Sequence, residues 1–294
     1  MLTLTFLGVG SAFAKRHYQS NALVEAWQSG PDQQVTPDET LLIDFGGTGP
    51  MALHHLKDQP GFAYLNRDER IFYPAIRNVL VTHLHGDHIG GLEELASLNY
   101  FRFRVPTTGR GYRPRIISTE VILANLWEQS LRGGLGVISP RRASLSDYFQ
   151  PHAAPAVFRN PGPAFTLVDR YAISLFPTDH IRIQQKYDWP SVGVLLCDRK
   201  TNQTVVFSGD TRFDPDGIGS LIASASQVFH DVQLEPFPEP VHALWSELRT
   251  LPTESRRKMI LYHYGDEWRD PAFESVADEF AGFAVPQVRY PLFP

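Results

Sequence analysis

Cysteine is almost absent from this chain of 294 residues, in which Cys197 is the only one. A single thiol excludes an intrachain disulfide, and it also excludes the cysteine-rich ligand set of a typical structural zinc site. Cys197 stands in the apolar stretch VGVLLCD. We therefore predict that it is a packed core thiol without a chemical role.

Long hydrophobic runs are also missing from the sequence. No stretch approaches the roughly 18 apolar residues that are needed to cross a bilayer. The start of the chain, MLTLTFLGVG, lacks the basic segment and the extended apolar core that are typical of a signal peptide. We therefore expect a cytosolic protein that has no membrane partner.

An excess of positive charge is the third feature that the sequence lacks. The formal net charge is −5 at pH 7, so a polyanion would have to be held by a local patch. The hydrophobic content of 43% is enough for a large core, and the chain has no repeat or low-complexity tract. These properties predict one α/β domain that spans residues 1–294.

What the sequence does contain is a dense group of metal-competent side chains in VLVTHLHGDHIGG. The β-branched residues before His83 predict a buried strand, and the leucine spacing in GLEELASLNYF predicts a helix after the group. Along an extended backbone His83 and His85 point to the same side, while Gly86 allows the turn that returns Asp87 and His88 toward them. The sequence therefore predicts a metal site at a strand-to-helix turn.

Three further strand-like runs end in metal-competent side chains. YAISLFPTDH ends at His180, TVVFSGD ends at Asp210, and KMILYHYGD carries His263. The carboxyl ends of strands in an α/β sheet converge on one edge, where binding sites form. We predict two metal ions, held as follows: His83, His85 and His180 at the first, Asp87, His88 and His263 at the second, and Asp210 as a bridge between them.

The donor types narrow the choice of metal. Zinc takes nitrogen and oxygen ligands in fours and leaves a position for water when the site is catalytic. Imidazole also suits iron, nickel and cobalt, and the carboxylates admit manganese. We expect two divalent ions, zinc first and manganese as an alternative.

The segment THLHGDHIGG resembles the H-x-H-x-D-H signature of the metallo-β-lactamase superfamily. Five further features are similar to the tRNase Z branch of that superfamily: TFLGVGSAF, LLIDFGG with Asp44, GDT at Asp210, FHDVQ, and a histidine at position 242. The resemblance implies a single-domain αββα sandwich, a dinuclear zinc centre, phosphodiester hydrolysis by an activated hydroxide, and a homodimer.

The resemblance also implies roles for two residues whose own sequence context is weak. Asp231 and His242 match an acidic residue and a histidine that form a pair beside the metals, so His242 is the candidate general acid and Asp231 orients it. With Asp87 of the motif they complete the candidate catalytic set. The alternative is that His242 begins an exposed helix, HALWSELRTL, and has no catalytic role. His230 is predicted to be structural, because neighbours on a strand point to opposite faces.

The sequence departs from tRNase Z between His180 and Asp210. Only residues 181–209 lie there, and a hairpin around RKTNQ uses much of them, so the arm that grips tRNA does not fit. Extra length appears instead at approximately 100–165, which we predict to be an insertion that caps the substrate. Arg102 and Arg104 of this segment, and His17, are candidate substrate-binding residues, because interleaved arginines and aromatics can bind nucleotides. Solvated loop arginines are the alternative.

An acidic chain without an arm favours a substrate smaller than tRNA. We expect a cyclic or short nucleotide to be hydrolysed at the phosphodiester, while long nucleic acid is left open as a partner. The alternatives are a tRNA 3′-end endoribonuclease and an acyl hydrolase of the lactonase or thioesterase kind on the same fold. A binding module without enzymatic activity is a more distant alternative.

Overall fold

The computed structural model describes residues 1–105, 107–158, 162–183, 187–236 and 240–293. The first ten strands are β1 Leu2–Gly8, β2 Asn21–Ala26, β3 Glu39–Ile43, β4 Asn66–Arg67, β5 Arg70–Ile71, β6 Asn78–Leu80, β7 Arg115–Ser118, β8 Val137–Ile138, β9 Arg141–Arg142 and β10 Gln150–Ala153. The others are β11 Phe165–Leu167, β12 Tyr171–Pro177, β13 Ile181–Ile183, β14 Tyr187–Trp189, β15 Val192–Asp198, β16 Thr204–Phe207, β17 Gln227–Asp231, β18 Met259–Tyr262, β19 Gly282–Phe283 and β20 Arg289–Pro291.

The helices are short, and most of them connect strands. They are α1 Gly49–Leu56, α2 Gly86–Ile89, α3 Leu92–Phe101, α4 Glu120–Asn125, α5 Arg132–Leu135, α6 Leu145–Tyr148, α7 Gly219–Ser224, α8 Trp245–Leu248, α9 Thr253–Arg256 and α10 Val276–Glu279. A π-helical segment, Leu126–Leu131, joins α4 to α5. The predicted helix after the histidine motif is confirmed as α3.

Two seven-stranded sheets form the framework, in the orders β10-β7-β6-β3-β2-β1-β20 and β11-β12-β15-β16-β17-β18-β19. Strands β3, β6, β7 and β10 are parallel in the first sheet, and β16 to β19 are parallel in the second. The carboxyl ends of these parallel strands share an edge, and this is where the predicted ligands follow. The predicted hairpin around RKTNQ is confirmed by the antiparallel pairing of β15 with β16.

The core lies between the two sheets and is rich in aromatic side chains. Phe6 of the first sheet packs against Phe207, Phe229 and Tyr262 of the second, with ring centroids 6.2, 5.6 and 5.3 Å away. Helix α1 contacts β1 on the first sheet, and α7 contacts β16 on the second. The resulting layers are the αββα sandwich that the resemblance implies.

Two sequence predictions differ in detail from the structure. The segment at approximately 100–165 contributes β7 and β10 to the first sheet, so part of the predicted insertion is scaffold; its residues 106 and 159–161 lie outside the described ranges. Cys197 is half-buried, because the alternation of β15 turns Leu196 and Asp198 inward.

In the described part of the chain, no helix is long and apolar enough to span a membrane.

A buried carboxylate fastens the last strand to the first sheet. Glu25 on β2 is inaccessible to solvent and accepts two hydrogen bonds of 2.8 Å from the guanidinium of Arg289 on β20. Tyr64 donates a third bond of 2.7 Å and Thr3 a fourth of 3.2 Å. The carboxylate is therefore fully satisfied, which a buried charge requires.

We predict that Arg289→Met lowers the free energy of unfolding by about 3 to 5 kcal/mol, because it leaves the Glu25 charge buried without its cation. The measurement is urea unfolding with the m-value checked for constancy. The matched control is Arg132→Met, which breaks an exposed ion pair with Glu128 and should cost under about 1 kcal/mol. Equal losses in both variants would contradict this account of the buried pair.

Candidate metal centre

The histidine motif lies at the turn between β6 and α2. The chain leaves β6 extended through Thr82 and His83, and His85 precedes the first turn of α2, which carries Asp87 and His88. Asp87 and His88 are buried within this short helix, and His83 is inaccessible to solvent. The candidate ligands of the motif therefore come from a strand end and from a helical turn, and they meet in one buried region.

Backbone strain accompanies this edge of the sheets. Asp44 and His263 have φ angles of 61° and 63°, which non-glycine residues rarely adopt. Gly209, which precedes Asp210, has φ of 62°, and a Cβ on it would lie 2.5 Å from the carbonyl oxygen of Val192. Such conformations persist where the surrounding structure over-determines them, and they are frequent at functional sites.

The first predicted ligand set is brought together. His83 Nε2 lies 3.0 Å from His85 Nδ1, and His180 Nε2 lies 3.2 Å from the same atom. Asp210 Oδ2 completes the set at 3.7 Å from His83 Nε2 and 3.9 Å from His180 Nε2. Ligands of a tetrahedral zinc ion stand about 3.3 Å apart, given bonds near 2.0 Å, so this spacing suits one divalent ion.

The second predicted set shares Asp210 with the first. His88 Nε2 lies 3.3 Å from Asp87 Oδ2 and 3.2 Å from Asp210 Oδ2. His263 Nε2 lies 3.8 and 3.5 Å from the same two oxygens. One carboxylate thus faces both groups of donors, as expected of a bridge between two ions.

Unpartnered polar atoms support the fit of these donors to metal ions. Within the described residues, His88 Nε2 and both carboxylate oxygens of Asp210 are buried and form no hydrogen bond, although His88 Nε2 and Asp210 Oδ2 face each other at 3.2 Å. A buried polar atom without a partner costs about 1 to 3 kcal/mol, and more when it is charged. Cations between the two donor sets would coordinate all three atoms, so the residues present fit a dinuclear centre.

Hydrogen bonds to the far sides of the rings fix how the histidines face the centre. Four Nδ1 atoms have partners: His83 with Thr82 Oγ1 at 3.0 Å, His88 with Asp44 Oδ2 at 2.8 Å, His180 with the Val241 carbonyl at 2.8 Å, and His263 with Ser20 Oγ at 2.5 Å. Each contact leaves Nε2 toward the centre, which is the usual arrangement around metal-binding histidines.

Sequence reasoning missed the positioning role of Asp44 and Ser20. Asp44 accepts hydrogen bonds from the backbone and hydroxyl of Thr82 as well as facing His88, and it is buried. The segment LLIDFGG drew attention to Asp44 only as part of a resemblance, whereas an aspartate at a strand end before two glycines was a usable signal. Nothing local marks Ser20, whose partner is 243 residues away.

The electrostatics of the buried group favour neutral ligands around a positive charge. Burial lowers the pKa of His83 well below its usual value and that of His180 to about 4. Burial opposes a charge on His88 too, but the Asp210 and Asp44 carboxylates raise its pKa well above the ordinary value. Three buried carboxylates therefore demand a cation here, and metal ions compete with protons for the same donors.

Asp231 and His242 form a pair beside the donor sets. His242 Nδ1 lies 2.9 Å from Asp231 Oδ2, and its ring centroid is 5.0 Å from that of His180 and 4.8 Å from that of His263. Helix α8 begins only at Trp245, so His242 does not begin a helix as the alternative supposes. His230 lies outside the donor groups, with Nδ1 2.8 Å from the Asp231 carbonyl.

The candidate substrate-binding residues are not all at this edge. The loop after α3 closes through the bridge of Arg104 with Gly111 and leads into the start of β7, which pairs with the start of β6. Arg102 and Arg104 therefore lie nearer the start of β6 than its end, whereas His83 lies beyond the end, and the five residue steps from Asn78 to His83 span roughly 16 Å when extended. The ring of His17 packs against Tyr264 and Trp268, at 5.6 and 5.7 Å.

Comparison with known sequences gives matches over most of the chain. The model of the family "Anti-Pycsar protein Apyc1" matches residues 2–290. An Apyc1 of Paenibacillus sp. (strain J14) is 34% identical over 271 residues, which are 90% of each chain. An Apyc1 of Bacillus phage vB_BsuM-Goe3 is 35% identical over 268 residues, which are 90% of this chain and 89% of the phage protein.

Solved structures of low sequence identity share the fold. Zinc-bound PqqB of Methylobacterium extorquens aligns with a TM-score of 0.66 at 14% identity, over 99% of this chain and all of that one. Unliganded yeast PDE1 gives 0.64 at 15%, over 95% and 93%. The short form of human tRNase Z gives 0.62 at 17%, over 99% and 100%. The metallo-β-lactamase fold and the likeness to tRNase Z predicted from the sequence are thereby confirmed.

We predict about two divalent ions per chain in protein that has never met a chelator, because seven donors exceed the needs of one zinc ion. Asp210→Ala should lose more metal than His180→Ala, since Asp210 faces both donor sets and His180 only one. Elemental analysis of the purified variants is the measurement.

Asp216→Ala, which removes an exposed carboxylate that belongs to neither donor set, is the control and should keep the wild-type metal content. One ion or none in the unmodified protein would contradict the dinuclear arrangement. Equal losses in the Asp210 and His180 variants would contradict the bridging role of Asp210.

Proposed function

The chain belongs to the Anti-Pycsar protein Apyc1 family, and on that premise we propose that it is a dinuclear metal-dependent phosphodiesterase that hydrolyses a cyclic or short nucleotide. The observation that carries the proposal is the pair of donor sets that share Asp210, with His242 held beside them by Asp231. We further propose that the chain has the anti-Pycsar role from which its relatives are named.

The donor groups suit hydrolysis of a phosphoryl centre. Two divalent ions, when bound, supply polarised phosphoryl oxygens and a water of lowered pKa, which is the chemistry of two-metal phosphodiesterases. The chain supplies neutral imidazoles, a shared carboxylate and a buried setting, in which these charges act more strongly than in water. A negatively charged substrate phosphate can therefore bind at these ions although the chain is acidic overall.

His242 is placed to serve the leaving oxygen. Its Nδ1 is taken by Asp231, so Nε2 is the position from which a proton can be given to an alkoxide leaving group. The Asp231 carboxylate is itself held by the backbone NH of Thr211 at 3.1 Å and by the Ser208 hydroxyl at 3.2 Å. Burial disfavours the imidazolium, but the Asp210 and Asp231 carboxylates raise the pKa of His242 above its ordinary value.

The geometry between His180 and Asp210 favours a small substrate over tRNA. The described residues of this interval form two hairpins, β13 with β14 and β15 with β16, the second of which lies within the second sheet. Among the described residues of this interval, neither hairpin provides an extended arm of the kind that grips tRNA away from the centre. The fold neighbours include proteins described as a PDE1 and as a diphosphatase of the PhnP family, which is in keeping with a nucleotide substrate.

Zinc, a homodimeric assembly and a cytosolic location complete the proposal. Zinc is proposed because five imidazoles belong to the two donor sets that share Asp210, and manganese is the alternative. The cap role of residues near 100–165 and substrate contact by His17 also stay predictions, since the described contacts of His17 are to aromatic rings.

We predict that phosphodiesters are hydrolysed at least about 100-fold faster, by kcat/KM, than lactones, thioesters or β-lactams, a difference of about 2.7 kcal/mol. The reason is that the two donor sets, when they hold metal ions, suit an anionic phosphoryl group, and His242 suits an alkoxide leaving group. The measurement is a panel of cyclic nucleotides, short RNA, pre-tRNA and these esters with metal-reconstituted protein. Faster acyl hydrolysis would place the protein among lactonases and thioesterases, and preference for pre-tRNA would place it among tRNA nucleases.

A leaving-group comparison tests the role of His242. His242→Ala should lower kcat by about 10²- to 10⁴-fold for a cyclic nucleotide, whose sugar alkoxide needs a proton. The loss should be much smaller for bis(p-nitrophenyl) phosphate, whose phenolate departs without one. Asp231→Asn should show the same contrast more weakly, because it orients the imidazole without donating the proton itself.

Metal content and folding of the His242 variant must match the wild type, and His54→Ala, an exposed histidine on α1, serves as the matched control. Equal slowing of both substrates would indicate a disturbed centre instead of a lost proton donor. No slowing of either would mean that the proton comes from another group.

A further inference from the structure

A second concave site lies at the end of the first sheet where β6 and β7 begin. It is a groove of about 470 Å³. Its walls, which define what we call the arginine groove, are Arg67, Phe72, Arg102, Phe103, Arg104 and Tyr112. Two cavities of about 350 Å³ each continue it, one sharing Arg67 and Phe72 and the other sharing Arg104.

The arginine groove is separate from the metal centre. Arg77, which lines one of the adjoining cavities, immediately precedes β6, whereas His83 lies three residues beyond the end of that strand at Leu80. The five extended residues between Asn78 and His83 span roughly 16 Å. A ligand of the groove therefore does not touch the donor sets of the same chain.

Positive charge is concentrated in the groove although the chain is acidic. The guanidinium groups of Arg67, Arg102 and Arg104 are exposed, and within the described ranges none of them forms an ion pair. The side chain of Arg104 donates a hydrogen bond of 2.9 Å to the Gly109 carbonyl. With a net charge of −5 for the whole chain, three unpaired arginines around one groove are a local site for an anion.

The aromatic walls add recognition of a planar ring. Phe72 and Phe103 pack edge to face with ring centroids 5.4 Å apart and an angle of 85°, and both are half-buried. The guanidinium carbon of Arg67 stands 3.5 Å from the centroid of Phe72. Arg67 covers one face of Phe72, so a nucleobase can stack on the remaining exposed surface of Phe72 and Phe103 while the arginines contact a phosphate.

We propose that the arginine groove binds a nucleoside monophosphate, with the phosphate against the arginines and the base against the phenylalanines. The volume lies in the range of small-ligand sites, roughly 300 to 1,000 Å³, and suits a single nucleotide. A terminal phosphate carries up to two negative charges, against one on a cyclic diester, so the linear nucleotide is favoured. The proposal does not depend on the activity of the metal centre.

Calorimetric titration of the metal-loaded protein with adenosine 5′-monophosphate tests the proposal. Arg67→Gln and Arg102→Gln should each weaken binding at least about 10-fold, because a charge-assisted contact to phosphate is lost. Arg257→Gln, at an exposed arginine outside the groove, is the matched control and should bind as the wild type does. Arg67→Gln should also leave metal content and kcat/KM unchanged, which separates this site from binding at the metal centre.

Fragments of the nucleotide and a longer oligonucleotide test which ligand the arginine groove recognises. Adenosine, ribose 5-phosphate and inorganic phosphate should each bind at least about 10-fold more weakly than the intact nucleotide, because each lacks the ring or the phosphate. Equal binding of inorganic phosphate, or nucleotide binding unaffected by both arginine variants, would overturn the proposal. A short oligonucleotide that binds over 10-fold more tightly would overturn it in favour of a nucleic-acid site.

Discussion

The concentration of negative charge at one buried place is the constraint on which the rest of the structure depends. Asp44, Asp87 and Asp210 are all at least nine-tenths buried and lie within reach of His88. A buried carboxylate without a cation is costly, and the protein offers imidazoles that are neutral when they act as ligands. Binding of divalent ions would satisfy these charges, so metal loading and folding should reinforce each other.

The arrangement of the two sheets brings these buried carboxylates together. The parallel strands of both sheets end at one edge. Backbone segments approach each other closely there. A Cβ on Gly46 would lie 1.8 Å from the Asp87 carbonyl, so only glycine lets the segment after Asp44 reach the helical turn of the motif. The aromatic core between the sheets reaches this edge, because Tyr262 packs against Phe6, directly precedes His263 and donates a hydrogen bond to the Gly209 carbonyl beside Asp210.

The sequence could predict features that depend on residues close together in the chain. It could not predict contacts between residues that are far apart in the chain. Strand ends with metal-competent residues indicated the edge where His83, His180, Asp210 and His263 meet. The Ser20 contact to His263 joins residues 243 positions apart, and no local pattern encodes it. The position of Arg102 and Arg104 depended on how a loop closes, and a cluster of arginines in a sequence does not say which end of a sheet it will occupy.

The central claim is that two ions share Asp210 at the edge where both sheets end. The most direct test is a crystal structure of the metal-loaded protein with anomalous scattering recorded at the absorption edge of the bound metal. The account predicts two anomalous peaks about 3.5 to 4 Å apart, each within coordination distance of Asp210 and of its own histidines. A single peak, or two peaks of which only one contacts Asp210, would contradict it.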